Sequence, residues 1–340
     1  MDTIVVSVLL PMFNAASFIE ASVKSILWQT FPFFELIIID DCSSDNSVQI
    51  VKSLKDSRII LVEKEQNTGY TDSLNYALKK AKGKYIARMD ADDISFPDRF
   101  EIQVAFLNTN PEVILCGSWF EVLDTLVIIK HPELHNEISL ALLDYCSIGH
   151  PTVMFRRDVF LKHNLWYDKE MEPAEDYNLW VRAMRFGKFQ NIPKVLLKYR
   201  VHKKQISLIR RLTQDEHSCS AKKFHLGLLY KNIKPLVDIT APMDFKVNFK
   251  TQKLYINQYL KELEYLKMLN KSFDIFDIKA FESFCLQKKT ILISKWFENA
   301  QSEYFMYLLE LTNPLKGYYK NFNNKKKLNL MFRYLNLKKW

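Results

Sequence analysis

Apolar residues follow two alternating rhythms over the first third of the chain. Short, nearly continuous apolar runs ("VVSVLL", "ELIIID", "RIILVE", "KYIARMD") are each followed by a stretch whose apolar positions recur every three to four residues. In "SFIEASVKSILWQ", Phe18, Ile19, Val23, Ile26 and Leu27 fall on one face, the spacing of an amphipathic helix. "DNSVQIVKSL", "GYTDSLNYALKKA" and "FPDRFEIQVAFLN" repeat the pattern. Asp45 opens the second helix as a cap, Gly83 closes the third, and Pro97 sits in the first turn of the fourth. Apolar strands alternating with amphipathic helices predict an α/β fold, Rossmann-like, with a mainly parallel sheet and helices on both faces. Right-handed crossovers then bring the carboxyl ends of the strands into one crevice, where such sheets bind ligands.

Past Val113 the pattern is more mixed. "VILCGSWFEVLD" reads as a strand, the segment through "HPTVMFRRDVF" as loop and short elements, and "VLLKYRVH" as a late strand. A helix begins near Glu175 in "EPAEDYNLWVRAMRFGKF". After about Ser207 the chain becomes rich in Lys, Leu, Tyr and Phe at helical spacing. This places a domain boundary near residue 205, between an α/β domain over 1–205 and a mostly helical, basic region over 206–340 that offers membrane or partner contacts.

Composition narrows the class. With 340 residues and 48% hydrophobic content, the chain can bury one large core or two ordinary ones. Its five cysteines are scattered and form no C-x-x-C pair, which argues against a zinc knuckle or a disulfide framework and for a reducing compartment. "MDTIVVSVLLPMFN" has neither a basic leader nor a small-residue cleavage site, so it reads as the first strand. The most apolar run, "VILCGSWFEVLDTLVII", is broken by Glu121 and Asp124 and does not read as a membrane span. A cytoplasmic protein is expected. The net charge of +9 calls for an anionic partner, phosphate groups or a membrane surface. Nucleic acid is not expected, because the positive charge is concentrated late and no RRM, KH or zinc-finger pattern occurs.

Four polar features stand at strand ends: "PMFN" (Pro11 to Asn14), "DDCSSDNS" from Asp40 and Asp41, "NTG" (Asn67 to Gly69), and "MDADD" (Met89 to Asp93). Carboxylates crowded into one crevice of a basic protein suit a divalent cation that arrives with a phosphorylated ligand. Mg²⁺ and Mn²⁺ take carboxylate oxygens and share their coordination with substrate phosphates. Taken alone, Asp-x-Asp is also a solvated turn, and Asp41 also fits an Asx-turn. A carboxylate such as Asp176 is favoured in a first helical turn by the helix dipole alone.

The ordered set "PMFNAASFIEASVKSILWQTFPFFELIIIDDCSSDNS", "NTGYTDSLNYAL", "GKYIARMDADDISFPDRFEIQ", "HPTVMFRRDVF", "EDYNLWVR" and "KYRVHKKQIS" resembles the inverting glycosyltransferases of family 2, which have the GT-A fold. The resemblance covers roughly residues 4–208. It implies single-displacement transfer of a sugar from a nucleotide diphosphate sugar to an acceptor hydroxyl. Carried over, it places Phe13 against the base beside Pro11 and Asn14, with Asn67 and Gly69 completing the nucleotide site. Asp41 accepts a hydrogen bond from the base, which favours a UDP-sugar. Asp90 touches the ribose or the sugar. Asp92 holds Mn²⁺ or Mg²⁺, with Asp93 as a competing ligand and His202 facing the metal or the diphosphate. Asp176 of the Glu-Asp pair is the base, and His150 helps form the acceptor pocket. Phe13 departs from the Tyr frequent in the family, which keeps stacking and loses a phenol hydrogen bond.

The implied setting is assembly of bacterial surface polysaccharide (capsule, O-antigen or exopolysaccharide), with a glycan or lipid-linked glycan acceptor. The tail "NKKKLNLMFRYLNLKKW" places Leu328, Met331, Phe332 and Leu335 on one helical face among lysines. It reads equally as a helix pressed into an anionic leaflet at the inner face of the membrane and as one packed on the catalytic domain. The competing functions are a degenerate nucleotide-sugar binder and, further off, a sugar-nucleotide pyrophosphorylase. The latter needs a Gly-, Arg- and Lys-bearing loop that "PMFNAAS" lacks.

Overall fold

The computed structural model describes residues 4–202, 205, 209–230, 235–240 and 249–299. The chain forms two compact units, Met1–Leu228 and Leu229–Trp340.

In the first unit, strands β1 (Val6–Met12), β2 (Phe34–Asp40), β3 (Ile59–Glu63) and β4 (Tyr85–Arg88) run parallel in the order β3-β2-β1-β4. Helices α1 (Ile19–Leu27), α2 (Ser47–Ser53) and α3 (Tyr70–Lys80) connect them, and α4 (Arg99–Thr109) follows β4. The two rhythms of the sequence are therefore real elements. The sheet continues through β5 (Ile94–Ser95), β6 (Val113–Val122), β7 (Ile128–Ile129), β8 (Met154–Arg156) and β9 (Lys188–Tyr199), in the full order β3-β2-β1-β4-β8-β6-β9-β5 with β7 on β6. The segment read as loop and short elements contains β8, α5 (His135–Ala141) and α6 (Arg157–Lys162). β8 pairs antiparallel with both β4 and β6 and so joins the two parallel halves.

Side chains of a strand alternate between the two faces of its sheet, and here both faces are dry. Leu9, Ile37, Ile39 and Ile86 lie on one face under Leu74, Ala77 and Leu78 of α3 and Trp180 of α7 (Glu175–Ala183). Val8, Leu10, Leu36 and Ile38 lie on the other under Ile19, Val23 and Ile26 of α1 and Phe100, Val104 and Leu107 of α4. Each such fully buried large apolar side chain stabilises the fold by roughly 1.5–3 kcal/mol. Trp180 packs among Phe155, Phe160, Tyr167 and Phe189 at near-perpendicular ring angles, so it is core and not a sugar platform.

The first unit runs past residue 205. Helix α8 (Arg211–Tyr230) buries Ala221 in the core under α3 and α7. His225 Nε2 lies 2.8 Å from the carbonyl of Ser139, and Gln214 donates to the carbonyl of Pro173. The change of composition near 205 marks where the sheet ends, not where the packing ends.

The second unit contains α9 (Phe249–Phe273) and α10 (Ile278–Asn299). Asn270 closes the turn between them by bonding both the N–H and the carbonyl of Phe276. The buried Glu262 accepts from Tyr230 Oη and the N–H of Leu236. Among the described residues no helix is long and apolar enough to cross a membrane. The basic stretch with Leu328, Met331, Phe332 and Leu335 lies outside the described residues.

The turn from α3 into β4 requires glycine. A Cβ on Gly83 would lie 2.6 Å from the backbone nitrogen of Ser7 and 2.8 Å from the carbonyl carbon of Val6, neither of which can move without shifting β1. Gly83→Ala is expected to destabilise the first unit by about 1–3 kcal/mol. Chemical denaturation of the two proteins measures the difference, and an unchanged midpoint contradicts this account of the turn.

Candidate active site

The four strand-end features and the start of α7 line one crevice of about 1140 Å³. Pro11, Phe13, Asn14, Asp41, Asn67, Gly69, Asp90, Asp92, Asp176 and His202 all face it. His150 lines it too, whereas Asp93, the competing metal ligand of the sequence reading, is buried and does not line it.

At the end of β1 the chain turns sharply at Asn14, whose φ of 48° lies in the left-handed region that Asn tolerates. Asn14 Oδ1 accepts from the N–H of Ser44, and its own N–H donates to Ser43 Oγ. This leaves Phe13 half exposed on the crevice wall (51%), a costly place for an aromatic ring unless a flat ligand covers it. At the end of β2, Asp40 and Asp41 divide the work. Asp40 accepts from the N–H of Ser43 and shapes the loop. Asp41 accepts from the N–H groups of Thr68 and Gly69 and from Lys64 Nζ. Gly69 has φ 97°, which a residue with a side chain adopts only under strain.

The carboxylates after β4 gather around Arg88. Arg88 Nη1 donates to Asp90 Oδ2 in a short ion pair, and Arg88 is itself buried. Burial pushes the Asp90 carboxyl up to about 6 against the pull of Arg88, with the repulsion of Asp92 adding to the rise. Asp93 is fully buried, and burial followed by repulsion from Asp90 and Asp92 drives its pKa well above the usual carboxylate range. Its Oδ1 accepts from the N–H of Arg200, while its Oδ2 has no partner among the described residues. Asp92 Oδ2 lies 2.8 Å from Nε2 of His202, which stacks on Phe18. Arg200 Nε in turn donates to the carbonyl of Asp92. One oxygen from each of Asp90, Asp92 and Asp93 lies within 4.8 Å of the others. Three hard oxygen donors, one of them with an orphaned buried partner atom, plus an imidazole beside them form a donor set that fits Mn²⁺ or Mg²⁺.

Glu175 and Asp176 open α7, with different environments. Glu175 Oε2 accepts from Tyr70 Oη at 2.8 Å. Burial first, then repulsion from Asp176, pushes Glu175 up to about 8, so it holds a proton at neutral pH. Asp176 is raised by burial, but the N–H of Tyr177, the charge of Arg88 and its own backbone N–H oppose that rise, and Cys146 Sγ lies 3.9 Å from its Oδ2. Both line the crevice, Asp176 the more exposed of the two, and of the pair it is Glu175 that is driven further toward the protonated form. His150 Nδ1 lies 3.9 Å from both carboxyls, and its Nε2 lies 3.0 Å from Tyr167 Oη. Burial holds His150 well below its usual pKa, so it is neutral.

Sequence reading did not single out Arg88, Tyr70, Lys64 or Cys146. Arg88 carried a signal, because a lone charge closing an otherwise apolar strand demands a buried partner. Tyr70 and Cys146 lie 105 and 30 residues from their carboxylate partners, and nothing local marks them.

Glu175→Gln keeps an acceptor for Tyr70 and removes the ionisable group. The folded pKa of Glu175 lies above its unfolded value of about 4.3, so its stabilising contribution is full below that value and is lost as pH rises toward 8. The variant should therefore gain stability relative to wild type between pH 5 and pH 8, by on the order of 1–3 kcal/mol. Melting temperatures of both proteins at the two pH values test this, and a constant difference contradicts the assignment.

Comparison with known proteins agrees with this geometry. The family model described as "Glycosyl transferase family 2" matches residues 7–170. An uncharacterized glycosyltransferase of Haemophilus influenzae is 31% identical over 300 residues, covering 81% of this chain and 93% of its own. The UDP-Glc:alpha-D-GlcNAc-diphosphoundecaprenol beta-1,3-glucosyltransferase WfgD of Escherichia coli is 32% identical over 209 residues, covering 61% of this chain and 81% of its own. Among solved structures, S. aureus TarS 1-349 in complex with UDP superposes with a TM-score of 0.56 at 18% identity, over 88% of this chain and 93% of that one. The fold is the GT-A arrangement, and the chain belongs to glycosyl transferase family 2.

Proposed function

We propose that the protein transfers a hexosyl or N-acetylhexosaminyl group from a UDP-sugar to a hydroxyl of a glycan or lipid-linked glycan, with inversion at the anomeric carbon. The observation that carries this reading is the meeting in one crevice of the Asp92–His202 pair with Asp176, close enough to Asp90 to help raise its pKa. The relatedness to WfgD supports a UDP-sugar donor and a lipid-diphosphate acceptor in surface polysaccharide assembly. It also supports work at the inner face of the cytoplasmic membrane.

In this reading Phe13 stacks on the base between Pro11 and Asn14, and Asp41 accepts from an imide N–H of uracil. Asn67 and Gly69 close the nucleotide site, and Asp90 holds a ribose or sugar hydroxyl. Asp92 and His202, with Asp93 beside them, would hold Mn²⁺ or Mg²⁺, which when bound supplies a Lewis acid for the charge of the departing diphosphate. Asp176 takes the acceptor hydroxyl proton as the new C–O bond forms and the bond from the anomeric carbon to the diphosphate breaks. Burial and the neighbouring Asp176 carboxylate raise the Glu175 pKa and so keep it from competing for that role. A catalytically degenerate binder would have no reason to keep Asp176 charged in a buried place.

Two results follow. With UDP-glucose and a GlcNAc-diphospholipid acceptor, Asp176→Asn should bind UDP within about twofold of wild type and lose roughly 10²–10⁴-fold in transfer. Unchanged transfer sinks the assignment of the base. Because burial raises the Asp176 pKa and the base works deprotonated, the wild-type rate should fall on acidification at a pH above that of an ordinary carboxylate, about 3.9. A rate still at its plateau at pH 4 contradicts it.

A further inference from the structure

Lys64 follows β3, and its side chain is only 12% exposed. Its Nζ lies 3.0 Å from Asp41 Oδ1, 2.6 Å from Thr68 Oγ1, 2.8 Å from Asp72 Oδ2 and 2.9 Å from Ser73 Oγ. An ammonium with three hydrogens shared among four oxygens has no freedom to turn away. Asp72, half exposed, is held below its usual pKa chiefly by this same bond, so the Lys64 charge is gripped from the solvent side as well. Neither Lys64 nor Asp72 lines the crevice. Asp41 does, and it is the group through which Lys64 reaches the crevice.

The hydrogen-bond count on Asp41 has a definite outcome. Each carboxylate oxygen accepts about two bonds. Oδ1 receives Lys64 Nζ and the N–H of Thr68, which fills it. Oδ2 receives the N–H of Gly69 alone, which leaves it one accepting direction. A terminal carboxylate torsion is soft, and the backbone supplies only one N–H donor to each oxygen. Lys64 locks the plane by pinning Oδ1 from outside the turn. Without it, Asp41 keeps only the N–H donors of Thr68 and Gly69 and its plane is held less tightly.

We propose that Lys64 is a positioning residue for nucleobase selection, holding Asp41 so that one Oδ2 lone pair meets a base with an imide N–H and rejects a base with a ring acceptor there. The proposal deepens the reading of Asp41 as the base contact and rests on it. Uracil offers that N–H, and cytosine presents a bare ring nitrogen at the same place. The discrimination is therefore a property of Asp41 orientation, set by a residue that never touches the nucleotide.

The test is calorimetric binding of UDP and of CDP, each with Mn²⁺, to wild type, Asp41→Asn, Lys64→Met, Lys64→Arg and Asp72→Asn. Wild type should favour UDP by roughly 10–100-fold, the worth of one hydrogen bond to a charged group. Asp41→Asn should remove most of that preference. Lys64→Met should bring the ratio to within about threefold, through weaker UDP binding with CDP little changed, and Lys64→Arg should restore part of it. Asp72→Asn, altered at a half-exposed position outside the crevice, should lower the ratio to an intermediate value and serves if Lys64→Met does not fold. A ratio lost in Asp41→Asn but intact in Lys64→Met and Asp72→Asn overturns the role of Lys64 and leaves the proposed function standing, even if both variants melt earlier. A wild type that binds UDP and CDP alike overturns the reading of Asp41, and the role of Lys64 with it.

Discussion

The active crevice is organised around one buried guanidinium. Arg88 closes β4, pairs directly with Asp90 and opposes the rise of the carboxyl pKa of Asp93, Glu175 and Asp176. The same charge helps hold His150 neutral. Its own place is fixed from below by the fully buried Arg99, whose Nη2 donates to the carbonyls of Arg88 and Val153 and so ties α4, β4 and the approach to β8. One cation cannot neutralise this many buried carboxyls, and the excess shows. Asp93 keeps an unpartnered oxygen, Asp90 is raised to about 6 and Glu175 to about 8. Charge left uncompensated inside a protein is costly, which is the physical ground for the proposed cation.

That constraint orders the rest. The parallel strands β1 to β4 bring their carboxyl ends to one edge, and the antiparallel β8 carries the sheet on toward β9, whose end delivers Arg200 and His202 to the Asp92–Asp93 step. Two carboxyls side by side at the start of α7 are pushed apart in their protonation by the deeper burial of Glu175 and their mutual repulsion, a common way to set acid and base roles with like groups. The end proposed to take the nucleotide is built differently. There the polar groups are satisfied within the protein, Asn14 by Ser43 and Ser44, Asp41 by Lys64, Thr68 and Gly69. In the proposed function, recognition there depends on preorganised direction, and chemistry near Arg88 on charge left over.

Much of this was legible in the chain. Period-2 and period-3.6 patterns place β1 to β4 and α1 to α4, and the crossover rule alone sends Phe13, Asp41, Asn67 and Asp92 to one crevice. Asp176 and His202 came from the family resemblance, and the crevice contains both. What stayed hidden depends on distance in the chain. β5 and β7 have two residues each, too short for any period to register. The extent of the first unit past residue 205 rests on Ala221 and His225 packing against elements far earlier in the chain, and composition cannot report such contacts. The difference between Asp92 and Asp93 is likewise tertiary. Asp92 meets His202, whereas Asp93 is turned inward to the backbone of Arg200.

The most direct test of the account is the affinity for Mn²⁺ with and without UDP, read by the loss of the free-ion paramagnetic resonance signal. If the crevice is built to take its missing positive charge together with the nucleotide, about one Mn²⁺ per chain should bind, and UDP should tighten it, with Mn²⁺ tightening UDP by the same factor. A Mn²⁺ affinity that does not change when UDP is bound would contradict the claim that the carboxylates around Arg88 and the nucleotide share one cation.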